Sequence, residues 1–186
     1  MKWSRILTYS GLLLIQVLFS PAWGQGICVK AGVYDFTDVT AREFYQLAPV
    51  ITVGGDLWKE SRLALHLSGG IAYNAVKYND HLHHLVLVPI FVTMNYDLPN
   101  PDSRIWPTIG AGLSLAGKAD VNSDLEKTNY TMTYGFIALG RINILLKKEL
   151  ILMIEGGYNF LMPAVNEEID ISGVIGTVGL RVPLSR

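Results

Sequence analysis

The sequence predicts an all-β protein: an eight-stranded, antiparallel, up-and-down transmembrane β-barrel preceded by a cleavable signal peptide. Three observations predict this fold. An apolar run preceded by basic residues opens the chain, eight later segments alternate apolar with small or polar residues, and only 17% of the 186 residues are charged. With 50% hydrophobic residues, this low charge content disfavours a disordered chain and a nucleic-acid-binding one.

Residues 1–24 have the organisation of a secretory signal peptide. Lys2 and Arg5 precede a largely apolar run over 6–19, and the segment 20–24 (SPAWG) ends in small residues. This run is short for a helix that crosses a bilayer. We therefore expect cleavage after residue 24 and a single barrel domain over residues 25–186. Loss of two of the 15 basic residues leaves 13 against 16 acidic ones, so the mature chain is mildly acidic.

Cys28 is the one cysteine of the chain. It therefore forms no internal disulfide and cannot supply the thiolates of a structural zinc site. Ile27 precedes it where a lipoprotein signal has a small residue, which disfavours lipid attachment. We expect a small apolar side chain on the first strand.

Eight segments after the signal peptide alternate with a period of two, which is the strand pattern. The third segment is the clearest, with Leu65 and Leu67 on one face and His66 and Ser68 on the other. The longest later apolar run contains Pro89, which disfavours a membrane helix. The predicted strands are 27–36, 45–57, 63–74, 85–97, 105–116, 130–145, 150–161 and 173–184.

The faces opposite to the apolar ones decide which side of the sheet meets water, because a soluble sandwich has the same alternation with its apolar face inward. These faces carry mostly Gly, Ala, Ser and Thr, whereas a face exposed to water normally carries Lys, Glu, Arg and Gln. We therefore expect the apolar faces to contact lipid and the small faces to line a lumen. A closed barrel pairs every backbone group within hydrocarbon.

The predicted connections alternate in length, as in outer-membrane barrels whose termini lie at the periplasmic rim. Short ones cover 58–62, 98–104 and 147–149, and longer ones cover 37–44, 75–84, 117–129 and 162–172. Aromatic residues near the strand ends are predicted to form outward girdles: Tyr34, Phe36, Phe44, Tyr45, Trp58, Tyr73, Tyr96, Tyr130, Tyr158 and Phe160. Trp106 has the parity of the inner face instead.

The segments 29–34 (VKAGVY), 67–73 (LSGGIAY), 108–112 (TIGAG) and 155–158 (EGGY), with the signal peptide, resemble small eight-stranded outer-membrane barrels. These are the OmpX/OmpA-type and OmpW-like proteins, also described as outer-membrane β-barrel or porin-family proteins. The resemblance covers the mature chain and implies a bacterial outer-membrane location, contact with outer-membrane lipid and insertion by the barrel-assembly machinery. One departure is the ending 182–186 (VPLSR), where such proteins often carry an aromatic residue that this machinery reads.

Alternation also predicts a polar network inside the barrel. A three-residue turn at 147–149 would set Arg141 opposite Glu155, within reach of an ion pair. A barrel of eight strands is wide enough only to be filled by side chains, so we expect a plug, with passage of protons, ions or small solutes as the alternative. The predicted inward residues are Lys30, Asp56, His66, Asn95, Arg141, Asn143, Glu155 and Arg181.

Two other patterns bear on function, one on metal binding and one on catalysis. His81, His83 and His84 lie in a predicted outer loop, and imidazoles bind zinc, copper or nickel. Their spacing lacks the i and i+4 presentation of a dedicated site and a solvated polar loop is more common, so no metal or cofactor is expected. His66 and Ser68 share a face, and the resemblance includes lipid A deacylases and palmitoyltransferases that use a His and a Ser with an acid. No inward acid is evident beside Ser68, and Asp56 lies on the adjacent strand but toward its turn end, so no catalytic residue is predicted.

The function that the sequence favours is a role in envelope structure or surface interaction, without catalysis. The alternative is a narrow channel or uptake protein for small or apolar solutes, and a weaker one is a lipid A-modifying hydrolase or acyltransferase. A surface partner is expected to bind the long loops, and no nucleic acid is expected. The charged loop residues are Arg42, Glu43, Asp124, Glu126, Lys127, Glu167, Glu168 and Asp170.

Overall fold

The computed structural model of the chain is a closed barrel of antiparallel strands, and it describes residues 26–78, 81–99, 104–122, 127–147, 150–163 and 169–183. The strands are β1 (Ile27–Phe36), β2 (Leu47–Glu60), β3 (Leu63–Tyr78), β4 (His81–Asp97), β5 (Ile105–Asn122), β6 (Lys127–Lys147), β7 (Leu150–Leu161) and β8 (Gly173–Val182). A helix, α1 (Val39–Tyr45), lies between β1 and β2. The predicted signal peptide lies outside the described residues.

The strands pair in sequence order, and β1 closes the barrel by pairing with both β2 and β8. Ile27 lies opposite Gly55 of β2 and opposite Val182 of β8. The predicted eight-stranded up-and-down barrel is therefore confirmed. We call the end where β1 begins and β8 ends the lower end, and the opposite end, where α1 lies, the upper end. No helix in the described part of the chain is long and apolar enough to cross a bilayer.

The strands in the middle of the chain are longer than predicted. The ladder between β5 and β6 continues until Asn122 lies opposite Lys127, and the ladder between β3 and β4 continues until Tyr78 lies opposite His81. The predicted long loops 75–84 and 117–129 are therefore wrong, since most of their residues belong to strands. Alternation ends where the outward face no longer has to be apolar, while the backbone ladder continues past that level.

The outward faces of the strands are apolar. On β7, Ile154, Tyr158 and Phe160 are between 41% and 48% exposed, whereas the intervening Glu155 and Asn159 are buried. This pattern confirms the predicted orientation. A continuous exposed apolar surface of this extent is unstable in water and suits contact with lipid. Further exposed side chains of this belt are Val29, Val33, Ile51, Val92, Met94, Ile109, Leu113, Phe136, Ile142, Val178 and Leu180.

Three predicted girdle aromatics lie inside the barrel instead. Tyr34, Phe36 and Tyr45 are at most 2% exposed, so the outward prediction is wrong for them. Tyr34 and Phe36 share the inward parity of Lys30 on β1, and Tyr45 ends α1 rather than opening β2. The rings of Tyr34 and Phe36 lie 5.1 Å apart between centroids, a distance typical of packed aromatic pairs. Their volume fills the upper half of the lumen.

Helix α1 folds into the upper mouth of the barrel, where a loop was predicted. Asp38 caps it by accepting a hydrogen bond from the Ala41 amide at 2.8 Å. Ala41 is fully buried, and the Tyr45 hydroxyl donates to Asp120 Oδ2 on β5 at 2.9 Å. A helix of seven residues is too short to be stable alone, so packing inside the barrel stabilises it.

The upper half of the lumen is a hydrophobic core. Side chains of several strands converge there with α1 and the segment 169–172, and the Tyr34 hydroxyl donates to the Ile171 carbonyl at 2.9 Å. The upper mouth is therefore closed by packed side chains. The core consists of Tyr34, Phe36, Ala41, Tyr45, Ala48, Val50, Ala72, Leu85, Leu87, Phe91, Ala116, Ile137, Leu161, Ile171 and Ile175.

Candidate functional site in the barrel lumen

Glu155 on β7 is the centre of one buried ion cluster. Lys30 Nζ lies 2.5 Å from its Oε1, and Arg141 Nε lies 2.7 Å from its Oε2. Arg141 is directly opposite Glu155 in the ladder between β6 and β7, whereas Lys30 approaches from β1. All three side chains are at most 5% exposed. One carboxylate is thus shared between two cations.

Asp56 on β2 is the centre of a second cluster. Its Oδ1 lies 2.8 Å from Nδ1 of His66, its direct partner on β3, and its Oδ2 accepts a hydrogen bond from Arg181 on β8. Arg181 reaches Asp56 across β1. The structure therefore brings all six residues of the predicted lumen network into two clusters, three residues in each.

The two clusters form a charged layer between two apolar layers. Above it lies the hydrophobic core that closes the upper mouth. Below it, toward the lower end, Ile151 and Met153 are buried with Cys28, and Trp106 and Leu145 pack against them. Trp106 thus lies on the inner face, as its parity indicates. Side chains fill the lumen at three successive levels.

Burial sets the energetics of this charged layer. An isolated charge in such a site costs several kcal/mol to desolvate, so each ion depends on its partner. Three cationic side chains face the carboxylates of Asp56 and Glu155. Replacing a whole buried ion pair with apolar residues is often neutral, but removing one partner costs about 3–5 kcal/mol. The layer is therefore weak evidence of net stability, although each of its ions depends on its partner.

The two predicted inward asparagines have different surroundings. Asn143 on β6 donates to Thr108 Oγ1 at 2.8 Å and to the Trp106 carbonyl at 3.2 Å. Asn95 on β4 is 3% exposed, and neither of its amide atoms has a hydrogen-bond partner in the described part of the chain. The asparagines therefore lie inside as predicted, but outside both ion clusters.

Cys28 has polar neighbours, whereas the sequence predicts only a small apolar side chain on the first strand. It lies opposite Gly54 on β2 and opposite Arg181 on β8, and its Sγ is 3.8 Å from His66 Nε2. The signal that would have found it is parity, because Cys28 is two residues before the inward Lys30. Its thiol is 1% exposed and belongs to the charged layer as much as to the apolar layer below.

His66 also differs from its predicted environment. The sequence places Asp56 on the adjacent strand but toward the turn, whereas in the structure Asp56 is the direct cross-strand partner of His66 and hydrogen-bonds Nδ1. Nε2 faces Cys28, so both ring nitrogens are directed at residues other than Ser68. A bulge between Asp56 and Trp58 shifts the register near the turn, which is a detail that counting back from the turn does not provide.

The predicted histidine loop is part of β4. His83 lies toward Asp120, with 3.8 Å between Nδ1 and Oδ1, whereas His84 accepts or donates a hydrogen bond with the Tyr73 hydroxyl at 2.9 Å on the opposite face. Successive strand residues point to opposite faces, so these two imidazoles cannot share one metal ion. Within the described residues no group of three or more His, Cys, Asp or Glu side chains has metal-binding geometry. The His81 side chain lies outside the described set.

No protein-family model and no curated protein matches the chain. Solved structures do. Neisserial surface protein A matches with a TM-score of 0.67 and 15% identity over 87% of this chain and 97% of that one. The attachment invasion locus protein Ail of Yersinia pestis matches with a TM-score of 0.57 and 5% identity over 86% of this chain and 97% of that one. At these identities the likeness shows the fold.

One similar structure is an enzyme. The outer-membrane enzyme PagL matches with a TM-score of 0.50 and 12% identity over 84% of this chain and 99% of that one. The fold by itself therefore does not separate enzymes from other barrels. The shared fold and the outward apolar belt support an outer-membrane location. The chain has the fold of the small eight-stranded bacterial outer-membrane β-barrel proteins.

Proposed function

We propose that this protein is an outer-membrane barrel that contributes to envelope structure and to interactions at the cell surface, without conducting solutes and without catalysing a reaction. The observation that carries the proposal is the filling of the lumen by three layers of side chains. The polar network of Lys30, Asp56, His66, Arg141, Glu155 and Arg181 acts as the plug in the middle layer.

A closed lumen argues against the channel alternative on physical grounds. An eight-stranded barrel has an interior just wide enough for side chains. A solute crossing it would have to separate Lys30 and Arg141 from Glu155 and would leave charges unpaired in a dry interior. It would then have to displace Tyr34 and Phe36, which are fully buried above. Each step costs several kcal/mol.

The upper end is the surface that we propose for partners. Strands β3 to β6 continue above the ends of the other strands, so the barrel wall is tallest on the side that these four strands form. On β6, Tyr130, Met132 and Tyr134 are among the most exposed apolar side chains of the described residues. The acidic loop residues 124, 126, 167 and 168 lie outside the described residues. Insertion by the barrel-assembly machinery is part of this proposal.

Planar-bilayer recording tests the proposal directly. The purified protein, shown to be folded by heat-modifiable gel mobility, should give no defined conductance steps. Reproducible unitary steps from the folded protein would contradict a plugged lumen and favour the channel alternative. Replacing Phe36 and Tyr45 with alanine removes part of the upper core and should still give no steps, because the charged layer remains closed.

Cell fractionation and lipid analysis test the remaining parts. The protein should partition with outer membranes, and proteases added outside intact cells should cleave it at the upper end; recovery from the soluble periplasm would contradict the location. Envelope lipid composition should be the same with the wild-type protein and with Ser68→Ala or His66→Asn. A change in acylation with either variant would favour the enzyme alternative.

A further inference from the structure

Three strands carry a thiol, an imidazole and a carboxylate in a line within the charged layer of the lumen. Cys28 Sγ lies 3.8 Å from His66 Nε2, and His66 Nδ1 lies 2.8 Å from Asp56 Oδ1. If the Nδ1 proton is donated to the carboxylate, Nε2 presents its lone pair to the thiol. This is the order of groups by which a general base activates a sulfur nucleophile, with the acid orienting the base.

The space between the thiol and the imidazole depends on a missing side chain. Cys28 is on β1 and His66 is on β3, so the imidazole must pass over β2, where the intervening residue is Gly54. A Cβ at this position would lie 2.9 Å from His66 Nε2 and 2.6 Å from Ser68 Cβ. The contact between Cys28 and His66 therefore requires glycine at residue 54.

Buried polar groups beside this line have no partner in the described part of the chain. Thr93 Oγ1 belongs to the residue directly opposite His66 on β4, and Thr52 Oγ1 lies two residues from Gly54 on the same face of β2. Both residues are 1% exposed. Buried hydroxyls normally have hydrogen-bond partners, so these two are polar groups of the lumen wall, beside His66 and Gly54, that a small polar ligand would satisfy.

We propose that Cys28 is a base-assisted nucleophile that undergoes thiol–disulfide exchange with small polar disulfides. The Cys28 sulfur attacks one sulfur of the disulfide R–S–S–R, and His66 Nε2 takes the thiol proton. A mixed disulfide between Cys28 and the RS group forms as the original S–S bond breaks. The departing thiolate receives the proton from His66 and leaves as RSH. Cys28 is oxidised, and the small disulfide is reduced to one free thiol.

The surroundings of Cys28 favour thiol–disulfide exchange with compact reagents. The chain has no second cysteine to resolve the mixed disulfide internally, so the modification persists until an external thiol removes it. Lys30, Arg141 and Arg181 face the lumen around the thiol, with Glu155 as the opposing charge. We place entry of the reagent at the lower end, where Arg181 is the most exposed of these side chains and Trp106 and Leu145 are only partly buried. The small bore admits only compact reagents.

The test measures how fast the folded protein, in detergent micelles, is modified by bis(2-hydroxyethyl) disulfide, with intact-mass spectrometry as the readout. The matched control is Cys28→Ser combined with Ser114→Cys, which moves the thiol to another buried lumen position of β5 that lies opposite Phe91 and Gly135 rather than opposite histidine. We expect Cys28 to react at least about tenfold faster than this control. His66→Asn should lower the Cys28 rate by about 100-fold at neutral pH.

Gly54→Ala supplies an independent variant, because it keeps the thiol and the imidazole and blocks their contact. It should slow the reaction as His66→Asn does. In both variants the rate should rise about tenfold per pH unit, as for an ordinary thiol, whereas the wild-type rate should depend less on pH.

Equal rates for the wild type and the Ser114→Cys control would overturn the proposal. So would a folded protein that resists the reagent while the same chain reacts in urea. The comparison with the control leaves His66 and Gly54 unchanged, so it decides the matter even if the other variants do not fold.

Discussion

Lys30 on β1 reaches Glu155 on β7 across the full width of β8, and Gly179 makes this possible. Gly179 is the direct partner of Lys30 in the ladder, and a Cβ added to it would lie 2.6 Å from Lys30 Cγ. The stem of the lysine occupies the space where a side chain of β8 would project. A glycine on the small face of β8 therefore also has a role in the ion cluster.

Gly179→Ala should destabilise the barrel, because the new methyl group collides with the Lys30 stem and with the Val29 carbonyl. We expect a loss of about 1–3 kcal/mol, measured by urea unfolding of protein inserted in lipid vesicles. Gly176→Ala is the control on the same strand, since a Cβ there has no atom within 4 Å. Equal losses in the two variants would contradict the steric explanation.

Glu155→Gln should destabilise the barrel more strongly. The variant keeps the shape of the side chain but leaves Lys30 and Arg141 buried without a counter-charge. The expected loss in the free energy of unfolding is about 3 kcal/mol or more. Glu60→Gln, at an exposed position of β2, should change stability by less than about 0.5 kcal/mol. If Glu155→Gln were as mild, the cluster would not depend on its charge.

An arginine on the outward face should report the position of the lipid. Ile154 lies in the middle of β7 and points outward, whereas Leu150 is the first residue of the same strand. Ile154→Arg should cost about 2–4 kcal/mol for folding into vesicles, and Leu150→Arg about 0–1 kcal/mol. The measurement is urea titration of folding followed by tryptophan fluorescence. A negligible cost at residue 154 would mean that water, not hydrocarbon, covers this face.

Asp38→Ala should loosen the helix that closes the upper mouth. The variant removes the cap on the Ala41 amide and should cost about 1 kcal/mol locally. Amide hydrogen exchange over residues 41–45 should then accelerate about fivefold, while exchange in β1 and β7 stays unchanged. Thr40→Ala, at an exposed position of α1, should leave exchange unchanged or slow it, because alanine favours helix. Equal acceleration in both variants would argue against capping.

The strand pattern was readable because lipid imposes a strict demand on one face. Every outward residue at membrane depth must be apolar, so alternation predicts the first and last residues of β1 and β7 correctly. Counting across one turn then predicts that Arg141 lies opposite Glu155, as the structure shows. Above the belt this demand ends and the alternation fades, so the sequence predicts loops where the structure has the upper parts of β3 to β6. The helix α1 was missed because seven residues give too little periodicity.

The sequence by itself determined the eight strands, the two faces of each strand and the polar residues that point inward. These features follow from the period of two residues with which side chains alternate along a strand. The tertiary structure alone decided which inward side chains meet. Lys30 with Glu155 and Arg181 with Asp56 are partners across an intervening strand, and Cys28 approaches His66 over Gly54. Such contacts depend on the curvature and stagger of the closed barrel, which bring together residues that are distant along the chain and unpaired in any ladder.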